Sequence, residues 1–263
     1  MVIDFHAHCF ADNIAENAVT TLEKRAGIRS VSGGTVEDLK SHMAACGVDK
    51  SVVLPVATKP TQIASINRWA IDQRDDWAEF FGAVHPDDPD VESTVRFLKD
   101  NGFKGVKYHP DYQHFFADEP RMMPVYELLR DAGLVIVLHA GIDLGYPSPV
   151  YCTPLMIRHI IDNIPDIKLV AAHMGGHALW HDVEEVLLGQ SVYLDTSYSF
   201  YLLEKQGMER MIGRHGAENV LFGTDYPWNS ARDEIPNILS LSLPASDIDK
   251  IMYGNALSLL NSR

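Results

Sequence analysis

The chain has 263 residues, and its 36 Asp and Glu against 22 Lys and Arg leave a formal net charge of −14. Nucleic acids and anionic membranes bind basic surfaces, so this balance argues against both as partners. A hydrophobic content of 46% with 22% charged residues is typical of a folded globular protein rather than a disordered one. The sequence contains no apolar run of about 18 residues, so we expect no transmembrane helix.

The three cysteines, Cys9, Cys46 and Cys152, are odd in number and widely spaced, unlike a disulfide framework or a Cys-x-x-Cys metal site. Free thiols are typical of a reducing compartment. The first six residues have neither the basic nor the apolar segment of a leader peptide. We therefore expect a cytoplasmic protein, and base rates favour a homodimer if the protein forms an oligomer.

Eight short apolar runs alternate with segments of helical pattern along the chain. Because the runs are rich in Val, Ile, Leu and Phe, they predict strands that are buried on both faces of a parallel sheet. The predicted strands cover residues 2–5, 51–57, 79–84, 102–108, 134–138, 168–172, 192–194 and 219–222. The predicted helices cover residues 35–47, 61–75, 90–101, 120–132, 153–163, 177–188, 202–215, 231–241 and 246–260.

This alternation predicts an α/β fold, a (β/α)₈ TIM barrel, as a single domain over residues 1–263. A doubly wound sheet is the alternative, but its first strand is usually followed by a glycine-rich turn, where this chain has His6-Ala-His8. The first connection between strands is the longest. We expect residues 9–34 to form a rim or lid over the barrel mouth, with a loop at residues 31–34.

Histidines and one aspartate stand where the predicted strands end. The residues at these positions are His6, His8, His85, His109, His139, His173 and Asp225. The carboxyl ends of the strands form the catalytic face of a (β/α)₈ barrel. His6 and His8 lie two residues apart on one strand, so their side chains share a face and can converge on one metal ion. His85 is expected to be structural.

Five motifs along the chain carry a resemblance to a known family. They are Asp4-Phe-His-Ala-His8, Gly105-Val-Lys-Tyr-His-Pro110, Leu138-His-Ala-Gly141, His173-Met-Gly-Gly176 and Phe222-Gly-Thr-Asp-Tyr-Pro227. As a set, these motifs resemble the amidohydrolase superfamily. The closest match is its amidohydrolase-related branch, which includes aminocarboxymuconate-semialdehyde decarboxylase. The motifs follow the order of the strands, and the resemblance covers nearly the whole chain.

The resemblance implies a role for each matching position. It implies that one divalent metal ion is bound by His6, His8, His139 and Asp225. It also implies that His173 polarises the substrate or carries a proton. A metal-bound water has a pKa near 7, and Asp225 is placed to take its proton. Zn²⁺ suits histidine and aspartate ligands best, although Mn²⁺, Fe²⁺ and Co²⁺ remain alternatives.

Lys107 and His109 share the face of one predicted strand, and three hypotheses stand for Lys107, of which an ion pair with a local acid is the simplest. In binuclear members of the superfamily, a carboxylated lysine on the fourth strand bridges two metals. Lys107 in that role would recruit His139 and His173 to a second metal. Otherwise the Lys107 ammonium group holds a substrate carboxylate or phosphate as a point charge. His109 then binds substrate or orients Lys107, and we favour the arrangement with one metal.

The expected function is hydrolysis of a small, anionic ester, amide or lactone by a metal-activated water. The alternative is a lyase on the same scaffold, either a non-oxidative decarboxylase or a hydratase, because the resembling branch contains both kinds of enzyme. A metal-dependent nuclease also begins with His-x-His, but such enzymes have a glutamate where this chain has Lys107. A binding protein without activity would lack at least one of the metal-ligating residues. Here His6, His8, His139 and Asp225 are all present.

Overall fold

The computed structural model describes residues 1–262, and within them eight parallel strands alternate with helices. The third strand has two segments separated by Phe81, and both belong to β3. The strands are β1 (Ile3–Ala7), β2 (Lys50–Val53), β3 (Ala78–Phe80 and Gly82–Ala83), β4 (Gly105–Tyr108), β5 (Val135–Leu138), β6 (Leu169–Ala171), β7 (Tyr193–Asp195) and β8 (Val220–Leu221). Each predicted apolar run overlaps one of these strands.

Backbone hydrogen bonds close the strands into a ring. Neighbouring strands pair in parallel from β1 to β3 and from β3 to β8. At the seam, the backbone N–H of Phe5 donates to the carbonyl of Phe222 at 2.8 Å, and that of Asp225 donates to the carbonyl of His6 at 2.8 Å. The last strand therefore pairs with the first, and the predicted (β/α)₈ barrel is confirmed.

Helices follow the strands around the outside of the barrel. They are α1 (Asp12–Ala26), α2 (Val36–Cys46), α3 (Ile63–Asp72), α4 (Val91–Asp100), α5 (Pro110–Gln113), α6 (Met123–Asp131), α7 (Pro154–Asn163), α8 (Trp180–Val186), α9 (Phe200–His215), α10 (Ala231–Leu239), α11 (Ala245–Asp249) and α12 (Asn255–Asn261). The helix predicted over residues 246–260 is confirmed as one continuous helical run, in which a π-helical turn at Lys250–Gly254 joins α11 to α12. No helix among residues 1–262 is long and apolar enough to cross a membrane.

The connection predicted to form a rim contains a helix that the sequence pattern did not indicate. Helix α1 has 15 residues, and only Ala15 and Val19 on it are buried. Its N-cap position, Ala11, makes no side-chain hydrogen bond. Neither a broad apolar stripe nor a capping signal therefore marked it. By contrast, the Thr35–Asp38 capping box does begin α2, and each side chain accepts a backbone N–H of the other residue.

Apolar side chains fill the barrel interior on the side opposite the histidine-bearing strand ends. Phe5 and Phe81 meet edge to face with ring centroids 5.9 Å apart, and Val137, Val170 and Leu221 pack in the same cluster. Gly105 permits this packing, since a Cβ there would lie 2.3 Å from the Phe81 ring. The packed interior gives the strand ends a rigid base.

Candidate metal and catalytic centre

Three side chains at the seam between β1 and β8 point donor atoms at one another. The Nε2 atoms of His6 and His8 are 3.2 Å apart, and Oδ1 of Asp225 lies 3.4 Å from the first and 3.2 Å from the second. A tetrahedral ion with bonds of about 2.1 Å separates its ligands by about 3.4 Å. The spacing and the chemistry of this group, which we call the metal triad, therefore fit a divalent ion.

Both histidines of the metal triad are oriented through their other ring nitrogen. Nδ1 of His8 donates to the carbonyl oxygen of Leu54 at 2.8 Å, and Nδ1 of His6 donates to Oδ2 of Asp195 at 2.8 Å. A proton on Nδ1 leaves the Nε2 lone pair free to bind a metal. The side chain of Asp195, at the end of β7, thus orients one metal-triad histidine.

Asp225 completes the metal triad from a strained backbone position. Its φ of 68° lies in the left-handed region, which an aspartate seldom adopts without support from its surroundings. Burial raises the pKa of Asp225, but a hydrogen bond with His8 and the nearby imidazoles of His6 and His173 lower it by more. The net effect holds this pKa well below its usual range, so the carboxylate is ionised and suited to bind a cation.

Lys107 is buried beside the metal triad. Its Nζ lies 3.3 Å from Nε2 of His6, and the residue is 1% exposed. Burial lowers the pKa of Lys107 to about 8, while Asp195 and Asp225 act in the opposite direction. Near neutral pH its ammonium group is therefore a fixed positive charge at the end of β4.

His173 follows β6 with a φ of 58°, also in the left-handed region. Its Nδ1 lies 3.1 Å from the carbonyl oxygen of Ser197, to which it donates, and its ring centroid is 5.2 Å from that of His6. Burial is the main cause that lowers the pKa of His173 to about 3. The imidazole is therefore neutral, with its proton on Nδ1 and a lone pair on Nε2.

His139 is separated from the metal triad by His173. Its Nδ1 donates to Nε2 of His173 at 2.9 Å, and its Nε2 faces the carboxylates of Asp111 and Asp143 at 3.8 and 4.0 Å. The His109 ring stacks on the His139 ring with centroids 4.1 Å apart. The structure thus brings together three of the four predicted metal ligands, and it groups His139 with His109, Asp111 and Asp143. We call these four residues the second cluster.

A cavity of about 960 Å³ opens above these groups. Its walls include all three residues of the metal triad, Lys107 and His173, and one side is formed by α1 through Asn13, Asn17 and Arg25. His85 is not among the lining residues, and its Nδ1 accepts the backbone N–H of Asp87 in the turn after β3. The predicted catalytic face of the barrel therefore opens into one pocket, and its walls include residues of α1 and α3.

Two acids that the sequence pattern did not indicate also face this region. Asp111 is fully buried and Asp143 is 8% exposed. Each follows a strand-end histidine, at two residues after His109 and at four residues after His139. That proximity in sequence was the available signal, but it does not show which way either carboxylate turns.

The amidohydrolase family model matches residues 3–261. The chain belongs to this family. A search of curated proteins finds no match. The match over nearly the whole chain agrees with the resemblance that the five motifs carry.

Solved structures share the fold over almost the entire chain. An uncharacterised TIM-barrel protein from Bordetella bronchiseptica is 21% identical, with a TM-score of 0.73 and 98% of each chain covered. 5-Carboxyvanillate decarboxylase from Sphingomonas paucimobilis is 16% identical, with a TM-score of 0.70 and 100% of this chain and 99% of that one covered. A dihydroxybenzoic acid decarboxylase from Polaromonas sp. JS666, with bound manganese and the inhibitor 2-nitroresorcinol, is 16% identical, with a TM-score of 0.71 and 98% and 96% covered.

Proposed function

We propose that this protein is a metal-dependent lyase that removes the carboxylate of a small hydroxylated aromatic acid as carbon dioxide. The convergence of His6, His8 and Asp225 at one point of the cavity carries the proposal. The chain is similar over nearly its whole length to 5-carboxyvanillate decarboxylase and to a dihydroxybenzoic acid decarboxylase. This similarity supports a lyase rather than the hydrolase that we first expected. No contact in the site favours ester, amide or lactone hydrolysis over the lyase alternative.

The charge of the cavity supports an anionic substrate. Arg25, Lys59 and Lys107 line it against the two carboxylates of Asp143 and Asp225, although the whole chain carries a net charge of −14. A divalent ion at the metal triad adds further positive charge. A cleft lined mainly by charges of one sign attracts ligands that carry the opposite charge. An acidic protein with a cationic pocket is thus suited to select a carboxylate.

The walls of the cavity support an aromatic substrate. The Phe, Tyr and Trp rings that line it are those of Phe10, Trp69, Tyr112, Tyr146, Tyr198 and Trp228. Flat apolar walls with few polar groups favour flat ligands, and aromatic pairs gain about 0.5–1.5 kcal/mol beyond their buried area. Helix α1 contributes Asn13, Asn17 and Arg25 to the lining of the same cavity.

In this proposal, His6, His8 and Asp225 would hold a divalent ion, which would supply positive charge to stabilise an anionic substrate. Lys107 Nζ holds the carboxylate through its ammonium group, and substrate binding replaces the hydrogen bond from His139 at His173 Nε2 with one from the substrate hydroxyl. The ionised carboxylate of Asp225 accepts the hydroxyl proton and returns it to the ring carbon that bears the carboxylate. The bond between that carbon and the carboxylate then breaks, carbon dioxide leaves, and the electron pair restores the aromatic ring. The phenolate takes one proton from solvent.

We propose one ion at the metal triad as the ion of this reaction. Its ligands suit Zn²⁺ or Mn²⁺, and the Polaromonas neighbour holds manganese. Protein loaded with each metal is to be incubated with hydroxybenzoates, including 2,6-dihydroxybenzoate and 5-carboxyvanillate, while carbon dioxide release is measured. Matched ester, amide and lactone panels test hydrolysis.

We expect carbon dioxide from at least one acid, no release with His6→Ala, and unchanged release with the control His159→Ala. His159 is an exposed histidine that bonds to Asp118 away from the cavity, so its loss tests for a general effect of removing an imidazole. Hydrolysis of an ester, amide or lactone without any carbon dioxide release would overturn the proposal.

A further inference from the structure

The cavity has an outer part that the proposed reaction does not use. The ends of the strands form the cavity floor, where the metal triad and Lys107 lie, and α1 and α3 belong to the connections that follow β1 and β2. Clefts that hold drug-sized ligands have volumes of about 300–1,000 Å³. With a volume of about 960 Å³, this cavity is near the upper end of that range. A single-ring acid at the metal triad therefore fills only part of it.

Helix α1 faces the cavity with two rows of side chains along most of its length. Residues four positions apart lie side by side on a helix, so the members of each row are neighbours. The polar row includes Asn13, Asn17 and Arg25, and the apolar row includes Ile14, Ala18 and Leu22. From residue 13 to residue 25 the rows extend for about 18 Å, because an α-helix rises about 1.5 Å per residue. They are therefore much longer than one aromatic ring.

The apolar row of α1 is not used in the core of the protein. Ile14 is 50% exposed. Within residues 1–262, the hydrophobic clusters of the core include neither Ile14 nor Leu22. Removing apolar surface from water is favourable in proportion to the area buried. The row is thus free to bury apolar surface against a ligand in the cavity.

Helix α3 adds apolar side chains to the wall of the same cavity. Ile66 and Trp69 are three residues apart, so they share one face of this helix. The Trp69 ring packs edge to face on the buried ring of Phe80, with centroids 5.5 Å apart, and Ile66 packs against the buried side chain of Ile63 and its neighbours. Both side chains are therefore held in place before a ligand binds, which lowers the entropic cost of binding. We define the apolar subsite as Ile14, Ala18, Leu22, Ile66 and Trp69.

We propose that the substrate carries an extended apolar substituent and that the apolar subsite binds it. The position of the acid group rests on the proposed function, in which Lys107 holds the carboxylate at the cavity floor. The edge of the ring opposite the carboxylate then points away from the floor, toward α1 and α3. Because one cavity contains both the apolar subsite and the metal triad, the occupant is part of the substrate rather than a second copy of the chain.

The test compares two ligands that cannot lose carbon dioxide. 2-Nitroresorcinol, the inhibitor in the Polaromonas structure, has a nitro group in place of a carboxylate. 5-Hexyl-2-nitroresorcinol adds an apolar chain at the opposite edge of the ring. Calorimetric titration of the full-length, metal-loaded protein gives the Kd of each ligand. We expect the hexyl compound to bind about 10–100-fold more tightly, because its chain leaves water for the apolar subsite.

Two variants in the apolar row locate this gain in affinity. Ala18→Phe places a ring in the apolar subsite, and Leu22→Asn makes the row polar with a side chain of similar size. We expect each variant to reduce the gain to about 3-fold or less. Ala64→Phe is the matched control, because Ala64 is an exposed residue of α3 that does not line the cavity, and it keeps the full gain.

Equal affinities for the two ligands in the wild type overturn the proposal, as does a full gain that persists in both Ala18→Phe and Leu22→Asn. A wild-type dimer without any gain, which light scattering shows to become a monomer in Leu22→Asn, also overturns it, since a second copy then covers the row. Carbon dioxide release from 2,6-dihydroxybenzoate tests the proposed function separately. A hexyl gain without release from any acid would retain the apolar subsite and reject the lyase reaction.

Discussion

The metal triad and the second cluster contain the same kinds of side chain but differ in how those side chains are held. In the metal triad, Asp195 and the carbonyl of Leu54 fix the two histidines, and Nε2 of each ring is left free. In the second cluster, Asp111 and one nitrogen of each histidine have no partner. The first group is preorganised for a cation, whereas the His109 and His139 rings of the second stack on each other. Preorganisation is what distinguishes a high-affinity site from a group of suitable residues.

Removing a ligand from the preorganised group is expected to have the largest effect. His6→Ala deletes one of three donor atoms and leaves Asp195 without its partner. We expect loss of the ion from the metal triad and a fall in carbon dioxide release of about three orders of magnitude or more. Metal analysis and initial rates measure the two effects. Full activity of a metal-loaded His6→Ala protein would remove the metal triad from the reaction.

Replacing the residue that stands between the two groups separates metal binding from chemistry. His173→Asn removes the nitrogen that accepts from His139 and faces the cavity. We expect the ion of the metal triad to stay bound, while kcat falls about 10²–10⁴-fold. Steady-state kinetics with parallel metal analysis provide the measurement. If His173→Asn instead loses an equivalent of metal, His173 is a ligand rather than a catalytic group.

Removing the charge that orients His6 leaves one histidine of the metal triad less firmly held, as the histidines of the second cluster are. Asp195→Asn keeps the shape of the side chain but removes the charge that orients Nδ1 of His6. We expect the metal dissociation constant to rise about 10–100-fold, with activity recovered at high metal concentration. Competition against a chelating dye measures this constant. An unchanged affinity would show that the hydrogen bond to Asp195 does not contribute to preorganisation.

The smallest effect is expected at the rim, where solvent screens charges. Arg25→Gln removes a cation that lines the mouth of the cavity. An exposed ion pair contributes about 0.2–1 kcal/mol, so we expect KM to rise about 1.5–5-fold with kcat unchanged. Lys24→Gln on the same helix is the matched control, because Lys24 is not among the residues that line the cavity. Equal changes in both variants would indicate a long-range charge effect.

Much of the barrel was predictable because buried parallel strands leave a clear pattern. The run at residues 134–138 became β5, and the capping box at Thr35 became the start of α2. Helix α1 was not predicted, since it buries only Ala15 and Val19 and has no side-chain cap. A helix that lines a pocket exposes polar residues to that pocket. Its stripe of apolar residues is therefore narrower, and the apolar periodicity from which a helix is predicted is weaker.

The sequence by itself determined which residues reach the catalytic face, because every side chain that follows a strand of a parallel barrel emerges at the same end. It therefore identified His6, His8 and Asp225, which the fold brings within 3.4 Å of one another. Only the tertiary structure decided which way each ring turns. The orientation of an imidazole depends on hydrogen-bond partners that are distant along the chain, and for His139 these lie toward His173 and the acids of the second cluster.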